Sequence, residues 1–297
     1  AGYIGSHTVV ELHNSGFIPI IIDNFSNSSI KNIDGISKIL KEDIKWYNTD
    51  CTNQSKVDRV FEKEHEIIGV IHFAAYKSVE ESLKYPRKYH RNNLNSLNTI
   101  LRSMRKYNVQ NIIFSSSCTI YGNPKTLPVS EKTPFKKAES PYGETKQICE
   151  KILSEENCNS VSLRYFNPVG SHPSSLIGDL SKGNPTNLIP IITEVAIGKR
   201  KEIIVFGNNY NTSDGSCIRD YIHVVDLAMS HVKAINFLVN NPGKHHFNVG
   251  TGRGTSVLEA IELFEQVNNI NIKYRIGKRR DGDIEEIYSD NTMIMKH

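Results

Sequence analysis

Over its first half the chain alternates short apolar runs with stretches of helical periodicity, and this alternation restricts the fold more than any other feature. Ile18–Ile22, Ile44–Tyr47, Gly69–Ala74, Asn111–Ser116 and Val161–Tyr165 are strand-sized. Between them lie helix candidates at 5–15, 54–65, 87–107 and 140–156, and in the third Leu94, Leu97, Leu101 and Met104 keep helical spacing. Strand and helix in turn are the pattern of β-α units building a parallel sheet covered on both faces. The expected fold class is therefore α/β, a doubly wound parallel sheet with a smaller mixed α/β domain. After Asn167 the rhythm breaks. Pro168–Asn187 is dense in Pro, Gly, Ser and Asn and reads as a long loop, followed by helices near 188–197, 224–239 and 256–267. The expected division is 1–166 and 167–297, with parts of the second returning to the first. Asn24–Asn32 and Asn208–Asn211 read as loops.

Bulk properties narrow the class of protein. The 297 residues are 38% hydrophobic and 23% charged, ordinary for about two globular domains. No apolar run reaches the roughly 18 residues that cross a bilayer, so no membrane association is expected. Five scattered cysteines without a C-x-x-C pair, and no secretory signal, point to reduced thiols and a cytoplasmic location. The net charge of +4 is mild, and no basic stripe interleaved with aromatics marks a nucleic-acid surface. A small polyanion suits the balance. His245 and His246 are adjacent and no H-E-x-x-H occurs, so no metal site is expected. The chain opens inside a loop without Met and closes in the polar stretch Thr292–His297, which reads as a fragment trimmed at both ends.

The opening residues, Ala1-Gly2-Tyr3-Ile4-Gly5-Ser6-His7, carry two of the three glycines of a dinucleotide-binding turn. Gly2 lets backbone approach a pyrophosphate, Gly5 lets the helix lie close on the sheet, and the helix N-terminus offers amides to phosphate. Asp23 closes the next strand, 18 residues beyond Gly5, where a carboxylate accepts the ribose hydroxyls and repels a 2′-phosphate. NAD is thus the expected cofactor and a Rossmann-type arrangement the expected sheet. The competing reading of Asp23 is a turn residue before Asn24.

Further along, strand Asn111–Ser116 runs into Ser115-Ser116-Ser117-Cys118-Thr119, placing hydroxyls at the carboxyl edge of a parallel sheet, where such sheets bind ligands. Ser140-Pro141-Tyr142-Gly143-Glu144-Thr145-Lys146 starts a helix, so Tyr142 and Lys146 share one of its faces. Asn92 and Asn93 lie on the long helix before them. A tyrosine titrates near 10, and bringing it toward neutrality takes about 4 kcal/mol, which an ammonium and a positive nicotinamide ring can together supply. Tyr142 as base, Lys146 as its partner and Ser117 as hydrogen-bond donor to the reacting oxygen form the expected catalytic set.

On these residues the chain resembles the extended short-chain dehydrogenase/reductases, and among them the branch that epimerises UDP-hexoses at C4. The likeness runs through Gly2–Thr8, Val70–Ala75, Phe114–Ser117, Ser140–Gly143, Leu163–Gly170 and Arg219–Val224. It implies reversible C4 epimerisation through a 4-keto intermediate, with hydride passing transiently to tightly held NAD, in a homodimer whose long helices 87–107 and 140–156 are the candidate contact. It also implies a cofactor site formed by Gly2, Tyr3, Ile4, Gly5, Asp23, Asn24, Asn27 and Ser28, by Asp50 and Cys51 at the adenine, and by Phe73, Ala74, Ala75, Lys77, Asn92, Tyr142, Lys146 and Phe166. The nucleotide-sugar would meet Ser117, Tyr142, Asn167, Asn187, Leu188, Phe206, Arg219, Arg280 and Asp283, with Ile287 at a gate that is tyrosine or cysteine in relatives. A 4,6-dehydratase on this scaffold needs Asp-Glu after the strand-end Ser-Thr, and Ser117-Cys118-Thr119-Ile120 has no carboxylate. A uronate epimerase of the same scaffold remains open. So does a catalytically silent NAD-responsive protein, although such proteins typically lose the tyrosine or the lysine and this chain keeps both.

Overall fold

The computed structural model describes residues 1–183, 185–280 and 282–297. In chain order the first half runs α1 (Tyr3–Asn14), β1 (Ile21–Asp23), α2 (Ile30–Leu40), β2 (Trp46–Asn48), α3 (Gln54–Lys63), β3 (Val70–His72), α4 (Val79–Lys84), α5 (Pro86–Lys106), β4 (Asn111–Ser117), a 3-10 turn Cys118–Tyr121, α6 (Pro141–Glu155) and β5 (Asn159–Tyr165). The second half adds β6 (Asn167–Val169), α7 (Leu188–Ala196), β7 (Ile203–Phe206), β8 (Ile218–Arg219), β9 (Tyr221–His223), α8 (Val224–Asn240) and β10 (Lys244–Val249). It closes with β11 (Thr255–Ser256), α9 (Val257–Asn268), β12 (Tyr274–Gly277), β13 (Glu286–Ile287) and α10 (Thr292–Met295).

β10, β5, β4 and β3 form an all-parallel sheet in that order, and β1 pairs in parallel with β2. Because side chains alternate across a strand, each strand feeds two cores. Ile112 and Phe114 pack with Val57 and Phe61 of α3, Leu97, Leu101 and Met104 of α5, and Cys149 and Leu153 of α6. Ile113, Val161, Leu163 and Tyr165 face the other way, onto Leu227, Ala234, Ile235 and Leu238 of α8. The sheet is covered on both faces, as the apolar runs required. The chain comes back to it late: β10 and α8 follow the irregular stretch that begins at Gly170, yet join the sheet and its covering layer.

β5 is apolar on one face only. Ser160, Ser162 and Arg164 point to the α6 side, where Arg164 Nη2 meets Glu150 Oε2 at 2.6 Å, both side chains almost fully buried. The Asn-rich stretch expected to be loop instead yields to α2 at Ile30. The Ser29 side chain accepts the Lys31 amide as its N-cap, and Ile33 and Ile36, one turn apart, go into the core. Ile18, expected in the strand, is 88% exposed, and the strand starts only at Ile21.

Candidate functional site

The carboxyl ends of the parallel strands open into one continuous cavity of about 390 Å³. At its centre, β4 ends in Ser117, whose hydroxyl caps the following 3-10 turn by accepting the Thr119 amide at 3.3 Å and the Thr119 hydroxyl at 3.1 Å. Opposite, Ser140 caps α6 by accepting the Gly143 amide at 3.2 Å, with Pro141 in the first turn. This cap fixes Tyr142 on the cavity wall. One turn on, Lys146 is 3% exposed and its Nζ donates to the Ser115 carbonyl at 2.5 Å. The same Nζ lies 5.7 Å from the centroid of the Tyr142 ring. Tyr165 donates to the Ser115 hydroxyl, so Ser115 braces the lysine and a second buried phenol.

Burial pushes the Tyr142 phenol up to about 12, against the hydrogen bond with Ser117 that pulls it down. Burial also lowers Lys146 to about 8. The Ser115 carbonyl, not the phenol, accepts the Lys146 hydrogen bond, and the amine stands 5.7 Å from the ring centroid, so desolvation dominates the phenol. Cys118, a neighbour the sequence did not single out, is pushed up to about 12 by burial and is a closed thiol, not a nucleophile.

One end of the cavity suits a dinucleotide. Gly2, Tyr3, Ile4, Gly5, Asp23, Asn24, Asn27, Ser28, Asp50, Cys51, Phe73, Ala74, Ala75, Lys77, Asn92 and Phe166 all line it. A Cβ built on Gly2 meets nothing of the chain within 4 Å, so this wall is left bare toward the cavity, as close approach of a phosphate requires. At Gly5 a Cβ would reach Phe73 at 3.5 Å, an ordinary contact, so helix–sheet packing by itself does not demand glycine there. Burial raises Asp23, while hydrogen bonds from the Ser28 hydroxyl and the Phe25 amide, each 2.7 Å, pull its carboxyl down. Asp50 is lowered as well. Burial is again the opposing influence, and hydrogen bonds from Thr52 prevail. Two anionic carboxylates thus stand where ribose and base hydroxyls or amines are expected, and the residues present fit NAD.

The other end is cationic. Arg219, Arg280, Asp283, Asn167, Asn187 and Ile287 line it. Asp283 pairs with Arg280 at 2.7 Å and stands 3.7 Å from Arg219, so one carboxylate gathers two guanidinium groups with donors to spare for a diphosphate. Leu188 and Phe206 are not on the wall. Leu188 packs into the α7–α9 core, and Phe206 lies beneath the Arg280 guanidinium, 5.3 Å from it. Tyr165, Ser115, Cys118 and Ser181 do line the cavity without having been anticipated. For the first three the signal was present in the strand-end register. Ser181 sits in a loop with no periodicity to place it.

A doubly wound parallel sheet, a glycine-opened first helix, and serine, tyrosine and lysine converging at the strand ends define the dehydrogenase type of dinucleotide-binding protein. The chain belongs to the NAD dependent epimerase/dehydratase family, whose model matches residues 1–250. It is similar to the UDP-glucose 4-epimerase of Bacillus subtilis (strain 168), with 48% identity over 295 residues that cover 98% of this chain and 86% of that protein. Among solved structures it is similar to the UDP-glucose 4-epimerase of Bifidobacterium longum in complex with NAD+ and UDP, at TM-score 0.96 and 44% identity, covering 100% of this chain and 89% of that one. The enzyme from Stenotrophomonas maltophila with bound NAD and formylated UDP-arabinopyranose superposes equally well, at TM-score 0.96 and 40% identity, with the same coverage.

Proposed function

We propose that the protein interconverts UDP-glucose and UDP-galactose by reversible epimerisation at C4 through a 4-keto sugar, using NAD retained in the site. The observation that carries this reading is one cavity with a dinucleotide wall at one end, paired arginines at the other, and Ser117, Tyr142 and Lys146 between them. When bound, oxidised NAD supplies a hydride acceptor at sugar C4 and a positive charge beside the phenol.

Tyr142 takes the proton of the 4-hydroxyl, and Ser117 shares a hydrogen bond with the same oxygen. Lys146, fixed by the Ser115 carbonyl, would hold the nicotinamide ribose when the cofactor is bound and keeps an amine on the phenol side of the cavity. Arg219 and Arg280 would hold the diphosphate, leaving the sugar free to present either face to the cofactor. Firm anchoring of the nucleotide with a loosely held sugar is what inversion at C4 demands. Ile287, buried against Cys118, Tyr121 and Phe166, narrows the sugar end and sets how bulky a C2 substituent enters.

The division into a cofactor unit, 1–166, and a nucleotide-sugar region, 167–297, belongs to this reading, with β10 and α8 serving the first. So does a cytoplasmic homodimer packed through the outer faces of α5 and α6, where Leu94 and Ile152 stay only partly buried. Among the described residues no helix is long and apolar enough to cross a membrane, and all five cysteines are free. Incubation with UDP-galactose should yield UDP-glucose with no net release of NADH. A stable 4-keto-6-deoxy product, or no conversion with bound NAD present, overturns the assignment.

A further inference from the structure

We infer that the irregular segment 170–183 is a strap that holds the dinucleotide in place, with Asp179 as its latch on Lys77, a proposal that rests on the NAD assignment above. The segment carries no helix or strand, yet it is pinned at several separate points. Tyr3, in the first turn of α1, donates its hydroxyl to the Gly170 carbonyl at 2.6 Å. Ile177, 2% exposed, is driven between α1 and α2 against Val10 and Ile36. The buried Asn32 amide bridges the Gly178 carbonyl, at 3.3 Å, and the Ala1 carbonyl, at 2.9 Å, tying the strap to the glycine turn. Gly35 makes this approach possible, since a Cβ there would lie 2.2 Å from the Leu176 carbonyl oxygen.

Beyond that peg the strap is tied to two segments whose residues line the cavity. Asp179 reaches Lys77 at 3.4 Å, and Lys182 donates to the Phe25 carbonyl at 2.6 Å, just past Asp23. Ser181 between them lines the cavity. The strap therefore spans from the wall carrying Lys77 to the loop carrying Asp23, over the stretch where the middle of a dinucleotide would lie. A loop with no packing core of its own is normally mobile, so five ties on different elements mark a piece built to stay shut. Both ends turn through glycines in the left-handed region, Gly170 at φ +84° and Gly183 at φ +93°. Such positions absorb a hinge rotation at low cost. An enzyme that restores its cofactor within each turnover gains nothing by releasing it, and a latch of one ion pair and one apolar peg supplies that retention.

Exchange of bound, isotope-labelled NAD against an unlabelled excess tests this in the purified holoenzyme. Asp179→Ala and Ile177→Ala are each expected to speed exchange by ~10-fold or more, because weakened closure shows mainly in the off-rate, while UDP binding is retained as a check on folding. Exchange as slow as in the parent chain in both folded variants overturns the strap alone. A parent chain that neither purifies with NAD nor binds it when added overturns the cofactor assignment, and the strap with it.

Discussion

Lys146 and Tyr142, one helical turn apart on α6, face the same cavity, but the lysine amine donates to the Ser115 carbonyl at 2.5 Å and stands 5.7 Å from the phenol ring. The chain by itself keeps the phenol protonated at neutral pH, with a pKa of about 12. Tyr142→Phe removes the phenol proposed to take the sugar proton. Turnover of UDP-galactose should fall by about 10³-fold, within the range for losing a general base, while UDP binding measured by calorimetry stays within a few-fold of the parent.

Lys146 gives a stability signature. A lysine at about 8 in the folded chain and near its ordinary 10.5 when unfolded binds fewer protons folded than unfolded between those values. Its burial therefore destabilises most below pH 8, and the penalty fades as pH rises toward 10.5. Lys146→Met should be inactive yet more stable at pH 7 by up to about 3 kcal/mol, and the gain should shrink by about pH 10. Denaturant melts of both proteins from neutral to alkaline pH check the sign.

The Arg164–Glu150 pair is buried on the polar face of β5, and Glu150 also accepts from the Ser116 hydroxyl at 2.5 Å. Glu150→Leu alone strands a buried guanidinium and should cost about 3–5 kcal/mol. Adding Arg164→Met should recover most of that loss. Equal destabilisation by the single and double variants in urea titrations would show that the charge is not what matters.

Asp220 is fully buried and its carboxylate accepts the Thr251 amide and hydroxyl at 2.8 and 2.7 Å, the Gly252 amide at 3.1 Å and the Ser289 amide and hydroxyl at 3.1 and 2.7 Å. It ties the segment carrying Arg219 to the strand carrying Ile287. Asp220→Asn cannot accept all five and should cost about 3 kcal/mol, the scale of one lost charged hydrogen bond with its desolvation. Thermal unfolding of the purified variant reads this directly.

Ile287, 1% exposed, lines the cavity together with Arg219 and Arg280, where the proposed reading places the sugar. Ile287→Tyr fills that end, so any activity toward UDP-N-acetylhexosamines should drop at least ~10-fold relative to UDP-hexose, the scale of rejection by lost pocket volume. An unchanged ratio of kcat/KM values for the two substrates would place the gate elsewhere.

The parallel α/β order, the Ser–Tyr–Lys set and the acid at Asp23 are legible in the residues themselves, because period, caps and strand-end position are local properties. β1 does end at Asp23 and Tyr142 does enter the first turn of α6, while β4 runs one residue past the expected Ser116, to Ser117. α2 escapes such a reading because its polar N-terminal stretch hides a pair of buried isoleucines one turn apart. Phe206 escapes it too, since nothing local tells a residue on the wall from one beneath Arg280.

What only the tertiary structure decided depends on groups far apart in the chain. It chose a carbonyl of β4 as the partner of Lys146, set one aspartate between two arginines, and carried β10 back beside β5. The order of residues determines which elements can form, since backbone geometry and capping act over a few residues. Desolvation and the choice of partner for a buried charge depend on which elements meet, and that is settled only when the sheet and its two covering layers close.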